Sequence, residues 1–97
     1  MLVPVKSVQQ LGLLIRAARK AQCVRLDDLA GSAGVGHVFV RQVEHGKESV
    51  QFGRVLKLLA EVGIELKADL PAEAIDELAR LRATGLRPLK GRARPPP

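Results

Sequence analysis

Residues 26–46 read LDDLAGSAGVGHVFVRQVEHG, and they set two short helical patterns on either side of a glycine turn. The first pattern ends before Gly34, since a glycine there can take the left-handed conformation that closes a helix and turns the chain. The second pattern begins after Gly36, a weak helix cap, and Gly46 stops it. Two short helices joined by such a turn are typical of a helix-turn-helix motif.

The second of these helices is predicted to present a row of side chains to solvent. Because residues three or four positions apart share a helical face, Val35, either Phe39 or Val40, and Val43 are expected to turn inward. The side chains left facing outward are those of His37, Val38, Arg41 and Gln42. Such a set can meet the edges of base pairs, so double-stranded DNA is the first partner to consider.

The placement of charge along the chain agrees with a DNA partner. Sixteen Lys and Arg against ten Asp and Glu give a net charge of +6. Residues 1–47 hold seven basic and three acidic side chains (+4), residues 48–83 hold five and seven (−2), and residues 84–97 hold four and none (+4). The basic ends suit contact with phosphates, and the near-neutral middle suits contact with another subunit. In the tail, Arg87, Arg92 and Arg94 are either solvated or make supplementary DNA contacts.

Composition excludes several other classes of protein. The single Cys23 cannot close an intrachain disulfide, and residues 1–6 hold no apolar stretch long enough for export or membrane insertion, so a cytoplasmic, nucleoid-associated location is expected. Phe39 and Phe52 are the only aromatic residues, which leaves almost no platform for stacking single-stranded RNA. No metal-ligand spacing, cofactor motif or catalytic arrangement of Ser, Thr or His is recognised, so an enzyme is not expected.

The rest of the chain predicts three more helices. Ser7 and Gln10 form a capping box that begins a helix over residues 8–22. A helix over about 51–62 is expected to turn one apolar face to the core, made of Phe52, Val55, Leu56, Leu59 and Ala60. A fifth helix begins at Pro71 with Asp69 as its cap and is closed by Gly85.

Between the last two helices, residues 64–68 alternate apolar and charged side chains, which predicts a short half-buried strand. Ile64 and Leu66 are its predicted dimerisation residues. Unless the amino-terminal arm, residues 1–6, pairs with this strand, its natural partner is the same strand of a second copy, in a two-fold antiparallel ribbon. A homodimer is expected on size as well, because a chain this short buries only about 60–65% of its unfolded surface.

The predicted organisation is therefore an all-α bundle of four to five helices with one short strand for dimer pairing. The amino-terminal arm covers residues 1–6. Residues 7–68 form the helix-turn-helix domain, and residues 69–97 form a carboxy-terminal helix and a basic, proline-rich tail.

Several motifs in order give this chain a family resemblance. They are S-x-x-Q-L-G-x-x-I-R-x-x-R over residues 7–19, D-L-A over 28–30, A-G-V over 33–35, Val40, and E-x-G-K over 44–47. Together they resemble the phage-repressor-like helix-turn-helix family, the XRE family, and imply a lambda-repressor-like bundle. Within that family, the Gln10-Leu11-Gly12 opening and the predicted strand resemble HipB-like antitoxins, which are partners of HipA-type toxin kinases.

The resemblance implies roles for residues of the third helix, which the family places in the major groove of an operator. His37, Val38 and Gln42 fall at its base-reading positions. Gln42 can bond adenine at two atoms, His37 can donate to guanine, and Val38 can pack on a thymine methyl. Arg41 can serve a base or a phosphate.

The resemblance also implies a partly buried ion pair between Arg19 and Glu44, with a structural role. The chain departs from the family pattern before each helix of the motif. Arg25 and Leu26 stand where relatives place a Thr or Ser cap and a phosphate-binding Gln, and Gly36 replaces a second Ser or Thr cap. Cys23 replaces a glycine.

These departures have a consequence for the predicted DNA contacts. The phosphate contact must come from Arg25 or be lost, and operator binding is expected to be weaker or less selective. Lys47, just after the third helix, is a further candidate contact to a base or a phosphate.

The leading hypothesis is a homodimeric DNA-binding repressor that is the antitoxin of a HipA-like kinase and regulates its own operon. An alternative is a protein-binding adaptor with a degenerate helix-turn-helix, which neutralises a partner through residues 71–97. The departures at Leu26 and Gly36 motivate this alternative. A third hypothesis, association with RNA or ribosomes, rests on charge alone.

Overall fold

The computed structural model describes residues 1–85, and within them the secondary structure is entirely helical. Its five helices are α1 (Val8–Ala21), α2 (Leu26–Ala33), α3 (His37–Glu44), α4 (Phe52–Val62) and α5 (Ala72–Thr84). The predicted all-α helix-turn-helix bundle is confirmed. The chain divides into two compact units, residues 1–66 with α1 to α4, and residues from 67 onward with α5.

Local chemistry accounts for where the first two helices begin and end. The Ser7 hydroxyl accepts a hydrogen bond from the backbone N–H of Gln10 at 3.1 Å, which begins α1. The Gln10 side chain reaches back to the backbone N–H of Lys6 instead of that of Ser7, so only half of the predicted capping box forms. Gly34, with φ of 70° and ψ of 35°, closes α2 in the left-handed conformation.

The core of the first unit forms where α1 and α2 each pack against both α3 and α4. Ile15, Val40 and Leu58 are completely enclosed there. The other buried apolar residues are Leu11, Leu29, Ala30, Ala33, Val43, Val55, Leu59 and Val62. Since full burial of one large aliphatic side chain stabilises the fold by about 1.5–3 kcal/mol, this cluster supplies the main force that holds the four helices together.

The core face of α4 differs from the prediction. Val55, Leu58, Leu59 and Val62 are buried, whereas Phe52 and Leu56 keep 56% and 45% of their surface exposed. The sequence pattern was misassigned because α4 is apolar over more than half of its circumference, so helical periodicity alone does not identify the inward side.

The predicted strand over residues 64–68 is not present as a strand. After Gly63 closes α4, the backbone N–H of Ile64 bonds back to the carbonyl of Leu59 at 2.8 Å, and the half-buried Ile64 packs against the core. Leu66 is 46% exposed. A strand requires a hydrogen-bonded neighbour, and the described residues of this single chain supply none.

In the second unit, α5 follows Pro71, and no side chain caps it. The predicted Asp69 cap is therefore wrong. None of the residues of α5 is buried, and Ile75 and Leu81 are 52% and 43% exposed. The tail arginines Arg87, Arg92 and Arg94 lie outside the described residues. Among residues 1–85, no helix combines the length and apolar character that crossing a membrane requires.

Candidate nucleic-acid interface

The turn between α2 and α3 sets the direction in which α3 leaves the bundle. Gly34 makes the turn in the left-handed conformation, and the backbone N–H of Val35 bonds back to the carbonyl of Ala30 at 3.0 Å. This bond closes α2 and brings the half-buried Val35 against the core. The chain then enters α3 through Gly36, whose extended backbone lets the helix begin at His37.

The helix α3 divides sharply into a buried side and an exposed side. Val40, Val43 and Glu44 are buried, and Phe39 is half-buried. Four side chains lie on the other side: His37, Val38 and Arg41 are exposed, and Gln42 is half-buried. Val38 keeps 53% of its surface in contact with solvent. The side chains predicted to read bases therefore share the accessible face of α3.

Several of these side chains line one shallow open depression at the carboxyl end of α3. Its lining residues are Val38, Arg41, Gln42, His45, Gly46 and Lys47. The depression joins a hydrogen-bonding amide, an apolar surface and the cations of Arg41 and Lys47. His37 does not line it and stands at the opposite end of the helix.

His45 also belongs to this depression, although the sequence pattern did not single it out. Its ring Nδ1 lies 2.8 Å from the carbonyl oxygen of Arg41, so Nδ1–H donates that bond and Nε2 is left to meet solvent or a ligand. The spacing from Arg41 to His45, one helical turn, was the signal that could have placed it on the same face.

Arg25 lies at the start of α2, with its side chain 78% exposed. Its Nε is 3.4 Å from Oδ1 of Asp27, so the guanidinium is loosely held by a neighbouring carboxylate. The pKa of Asp27 is lowered, first because its carboxylate accepts a bond from its own backbone N–H, and next because of the charge of Arg25. A phosphate approaching Arg25 therefore competes with Asp27.

A buried ion pair holds the far end of α3 to α1. The Arg19 guanidinium donates to the Glu44 carboxylate through Nε at 2.6 Å and through a terminal nitrogen at 3.0 Å. Its other terminal nitrogen donates to the carbonyl of Val24 at 3.0 Å. The hydrogen bonds to Glu44 raise the pKa of Arg19. Since both side chains are buried, the pair fixes α1, α3 and the segment before α2 in one arrangement.

The backbones of α1 and α3 also approach each other closely at two glycines. The sequence pattern gave no sign of this approach. A Cβ on Gly12 of α1 would lie 2.3 Å from the carbonyl oxygen of Val43, so only glycine allows the two helices to come this near. Gly46, with φ of 80°, packs on Gln9, whose side-chain amide donates to the Gly46 carbonyl at 3.3 Å. The last turn of α3 is therefore pressed directly onto α1.

A cation–π contact joins α3 to α4. The Arg54 guanidinium lies 6.0 Å from the centre of the Phe39 ring, within the range of a cation–π interaction. At an exposed site such a contact contributes about 0.5–1 kcal/mol. The position of α3 therefore depends mainly on α1 and α2, which both pack against it.

Comparison with known proteins supports the helix-turn-helix fold. No protein-family model matches the chain. A curated relative, the uncharacterized HTH-type transcriptional regulator y4mF of Sinorhizobium fredii, is 41% identical over 69 residues, which is 71% of this chain and 91% of the relative.

Among solved structures, a chain of the HipA-HipB-O2-O3 complex is similar with a TM-score of 0.66 at 15% identity, over 70% of this chain and 96% of that one. The restriction-modification controller protein C.AhdI of Aeromonas hydrophila is similar with a TM-score of 0.54 at 29% identity, over 60% of this chain and 88% of that one. The clp gene regulator ClgR of C. glutamicum is similar with a TM-score of 0.55 at 18% identity, over 86% of this chain and 97% of that one.

Proposed function

Because the chain belongs to the family of HTH-type transcriptional regulators, we propose that it is a repressor that recognises a specific operator by inserting α3 into the major groove. The single observation that carries this proposal is the two-sided character of α3. One side is anchored through the buried Glu44 and Val43, and the other presents the exposed His37 and Val38 and the half-buried Gln42. A helix held rigidly in this way can position its side chains precisely enough to form hydrogen bonds with base edges.

Each exposed side chain has a chemically suitable target in the groove. The Gln42 amide matches the paired donor and acceptor of adenine, the His37 imidazole can donate to guanine, and Val38 matches the thymine methyl. Arg41, beside Gln42 in the same depression, can reach a guanine or a phosphate.

Contacts to the DNA backbone are assigned to cations at the edges of this face. Lys47 lies at the carboxyl end of the depression, and Arg25 lies at the start of α2. Both are exposed. Neither α2 nor α3 has a side-chain cap. Phosphate contact therefore depends on these long cations, and a strong dependence of affinity on salt is expected.

The repressor is proposed to act as a homodimer in which residues 64–68 of two copies pair as antiparallel strands. Leu66 is exposed and available for such pairing, whereas Ile64 packs on the core of its own chain. A two-fold dimer would present two copies of α3 to half-sites about one helical turn apart.

The same protein is proposed to be the antitoxin of a HipA-like kinase and to regulate its own operon. The support is the likeness of the fold to chains in HipA-HipB and HipB-operator complexes. Co-expression of the full chain with a HipA-like kinase tests this part. Protection from growth arrest is expected, and continued arrest would contradict it.

An adaptor role remains a second candidate because α5 exposes Ile75 and Leu81 and buries none of its residues. A helix with such a face can dock into a groove of a partner protein. Removing residues 71–97 should abolish capture of the kinase and leave DNA affinity unchanged if this role is correct. The reverse outcome would reject it.

Selection of duplexes from a random pool tests DNA reading directly. The full chain is expected to enrich a motif with two related half-sites, and to bind it about 10³-fold or more tightly than unrelated duplex. Recovery of unrelated sequences after several rounds would contradict sequence-specific recognition.

A further inference from the structure

The imidazole ring of His45, just after the last residue of α3, is held in one tautomer. Its Nδ1 lies 2.8 Å from the carbonyl oxygen of Arg41, and a carbonyl oxygen can only accept a hydrogen bond. A neutral imidazole carries a single N–H, so that hydrogen stands on Nδ1. Nε2 of the neutral ring is left with a lone pair, on an exposed side chain. Only the protonated ring has a second N–H, at Nε2, to donate.

The charged groups that share a surface with this ring are cations. His45 lines the depression at the carboxyl end of α3 together with Arg41 and Lys47. No carboxylate of residues 1–85 lines that depression. The chain thus offers the ring two positive neighbours and, within the described residues, no negative one.

The carboxylates that are near in sequence are occupied elsewhere. Glu44 is buried and holds the guanidinium of Arg19, and Glu48 lines a different hollow, beside α1. The side chain of α1 that packs on this segment is Gln9, whose amide is neutral. The counter-ion that a protonated His45 requires must therefore come from another molecule.

We propose that His45 is a proton-linked contact to the DNA backbone, in which the protonated Nε2–H donates to a phosphate oxygen. This inference rests on the proposed DNA binding and adds to it a contact residue and a dependence on pH. A phosphate oxygen only accepts hydrogen bonds, so it opposes the lone pair of the neutral ring and accepts from the charged ring. Lys47, assigned above to a phosphate, lies in the same depression.

The tautomer fixes the direction of the pH dependence. Imidazole side chains change charge between about pH 5 and 8. At the lower end of this range His45 supplies a third cation and a donor, and at the upper end it presents a lone pair to the phosphate. DNA affinity should therefore fall as the pH rises, and binding should take up a proton. Because every sequence carries phosphates, selected and unrelated duplexes should respond alike.

Titrations of the full chain with duplex across the range from about pH 5.5 to 8, at one salt concentration, test the proposal. For wild type, we expect affinity to fall about 10-fold for each α3 bound. His45→Gln has no titrating group at this position, so its affinity should stay nearly constant. His45→Lys stays charged throughout the range and should keep, at high pH, the affinity that wild type shows at low pH.

His37→Gln is the matched control, because His37 is the other histidine of the chain and lies at the opposite end of α3. Its substitution removes a proposed base-reading side chain, so affinity for the selected duplex should be lower at every pH while the wild-type pH slope is kept. Circular dichroism at each pH checks that all variants stay helical. A slope that disappears in His37→Gln and persists in His45→Gln would overturn the proposal.

The nitrogen chemical shifts of the His45 ring test the tautomer without DNA. In the free chain at high pH, the hydrogen is expected on Nδ1. A hydrogen on Nε2 would let the neutral ring donate to a phosphate, and the link between proton uptake and binding would be overturned.

Three further outcomes separate this inference from operator reading. A wild-type chain that selects a duplex motif but binds it equally well at every pH overturns the inference and leaves operator reading intact. A chain that selects no motif, yet binds duplex with a pH slope that His45→Gln removes, supports the contact and contradicts operator reading. Binding to no duplex at any pH overturns both.

Discussion

Arg19 of α1 and Glu44 at the end of α3 form an ion pair with two hydrogen bonds, at 2.6 and 3.0 Å, inside the protein. The Glu44 side chain is 1% exposed and that of Arg19 is 11% exposed. The carboxylate therefore has almost no access to water when its partner is removed. This relationship makes the position of α3 depend on a residue of another helix.

Removal of either partner should destabilise the fold strongly. Arg19→Ala leaves the Glu44 carboxylate buried without a counter-ion, and a loss of about 3–5 kcal/mol in the free energy of unfolding is expected. Urea denaturation followed by circular dichroism measures this loss. The double variant Arg19→Met with Glu44→Leu removes both charges and should be closer to wild type, and a double variant as unstable as Arg19→Ala would contradict this explanation.

Substitution of the proposed base-reading residues should change selectivity and leave the fold intact. His37→Ala and Gln42→Ala should each reduce discrimination between the selected duplex and a single-base variant by about 1–3 kcal/mol. Competition gel shifts on both duplexes measure this difference. Glu73→Ala, on α5, serves as an exposed control. Unchanged discrimination in the two α3 variants would remove the assignment of α3 as the reading helix.

Loss of a backbone contact should affect all DNA sequences alike. Lys47→Ala is expected to weaken binding to the selected duplex and to unrelated duplexes by the same factor. It should also reduce the slope of log affinity against log salt concentration by about 1. Titrations at several salt concentrations give this slope. A loss of affinity for the selected duplex alone would instead indicate that Lys47 contacts a base.

Gly12→Ala and Gly31→Ala should act in opposite directions although the chemical change is the same. The new methyl group on Gly12 would meet the Val43 carbonyl oxygen at 2.3 Å, whereas Gly31 has no atom within 4 Å. Overpacking at Gly12 should cost about 1–3 kcal/mol. At Gly31, in α2, alanine should raise stability by about 0.5–1 kcal/mol. Thermal unfolding of both variants tests the pair, and equal effects would show that α1 does not clamp α3.

Relief of backbone strain should stabilise the connection between α1 and α2. Cys23 has φ of 58°, a left-handed conformation that costs an ordinary residue about 1–2 kcal/mol. Cys23→Gly should therefore raise the free energy of unfolding by about 0.5–1 kcal/mol. Cys23→Ala removes the thiol and keeps the strain, so it should give no gain. If the alanine variant gained as much as the glycine variant, strain would not be the cause.

Helix positions and the turn were predictable because their causes act within about one helical turn. The Ser7 cap, the left-handed Gly34 and the stop at Gly46 depend on the conformations of single residues and their neighbours. Burial was harder to predict wherever a helix was apolar on two sides. On α4 the pattern selected Phe52 and Leu56 for the core, and the structure buries Leu58 instead.

The sequence by itself determined that this chain forms a helix-turn-helix with an outward-facing third helix, since caps, glycine conformations and apolar periodicity are local properties. Only the tertiary structure decided how that helix is held. The approach of Gly12 to the Val43 carbonyl, the inclusion of His45 beside Gln42, and the exposure of a second face on α4 all depend on how segments distant in sequence pack together. Packing of this kind is set by the shapes of all the contacting surfaces at once, and no local pattern encodes it.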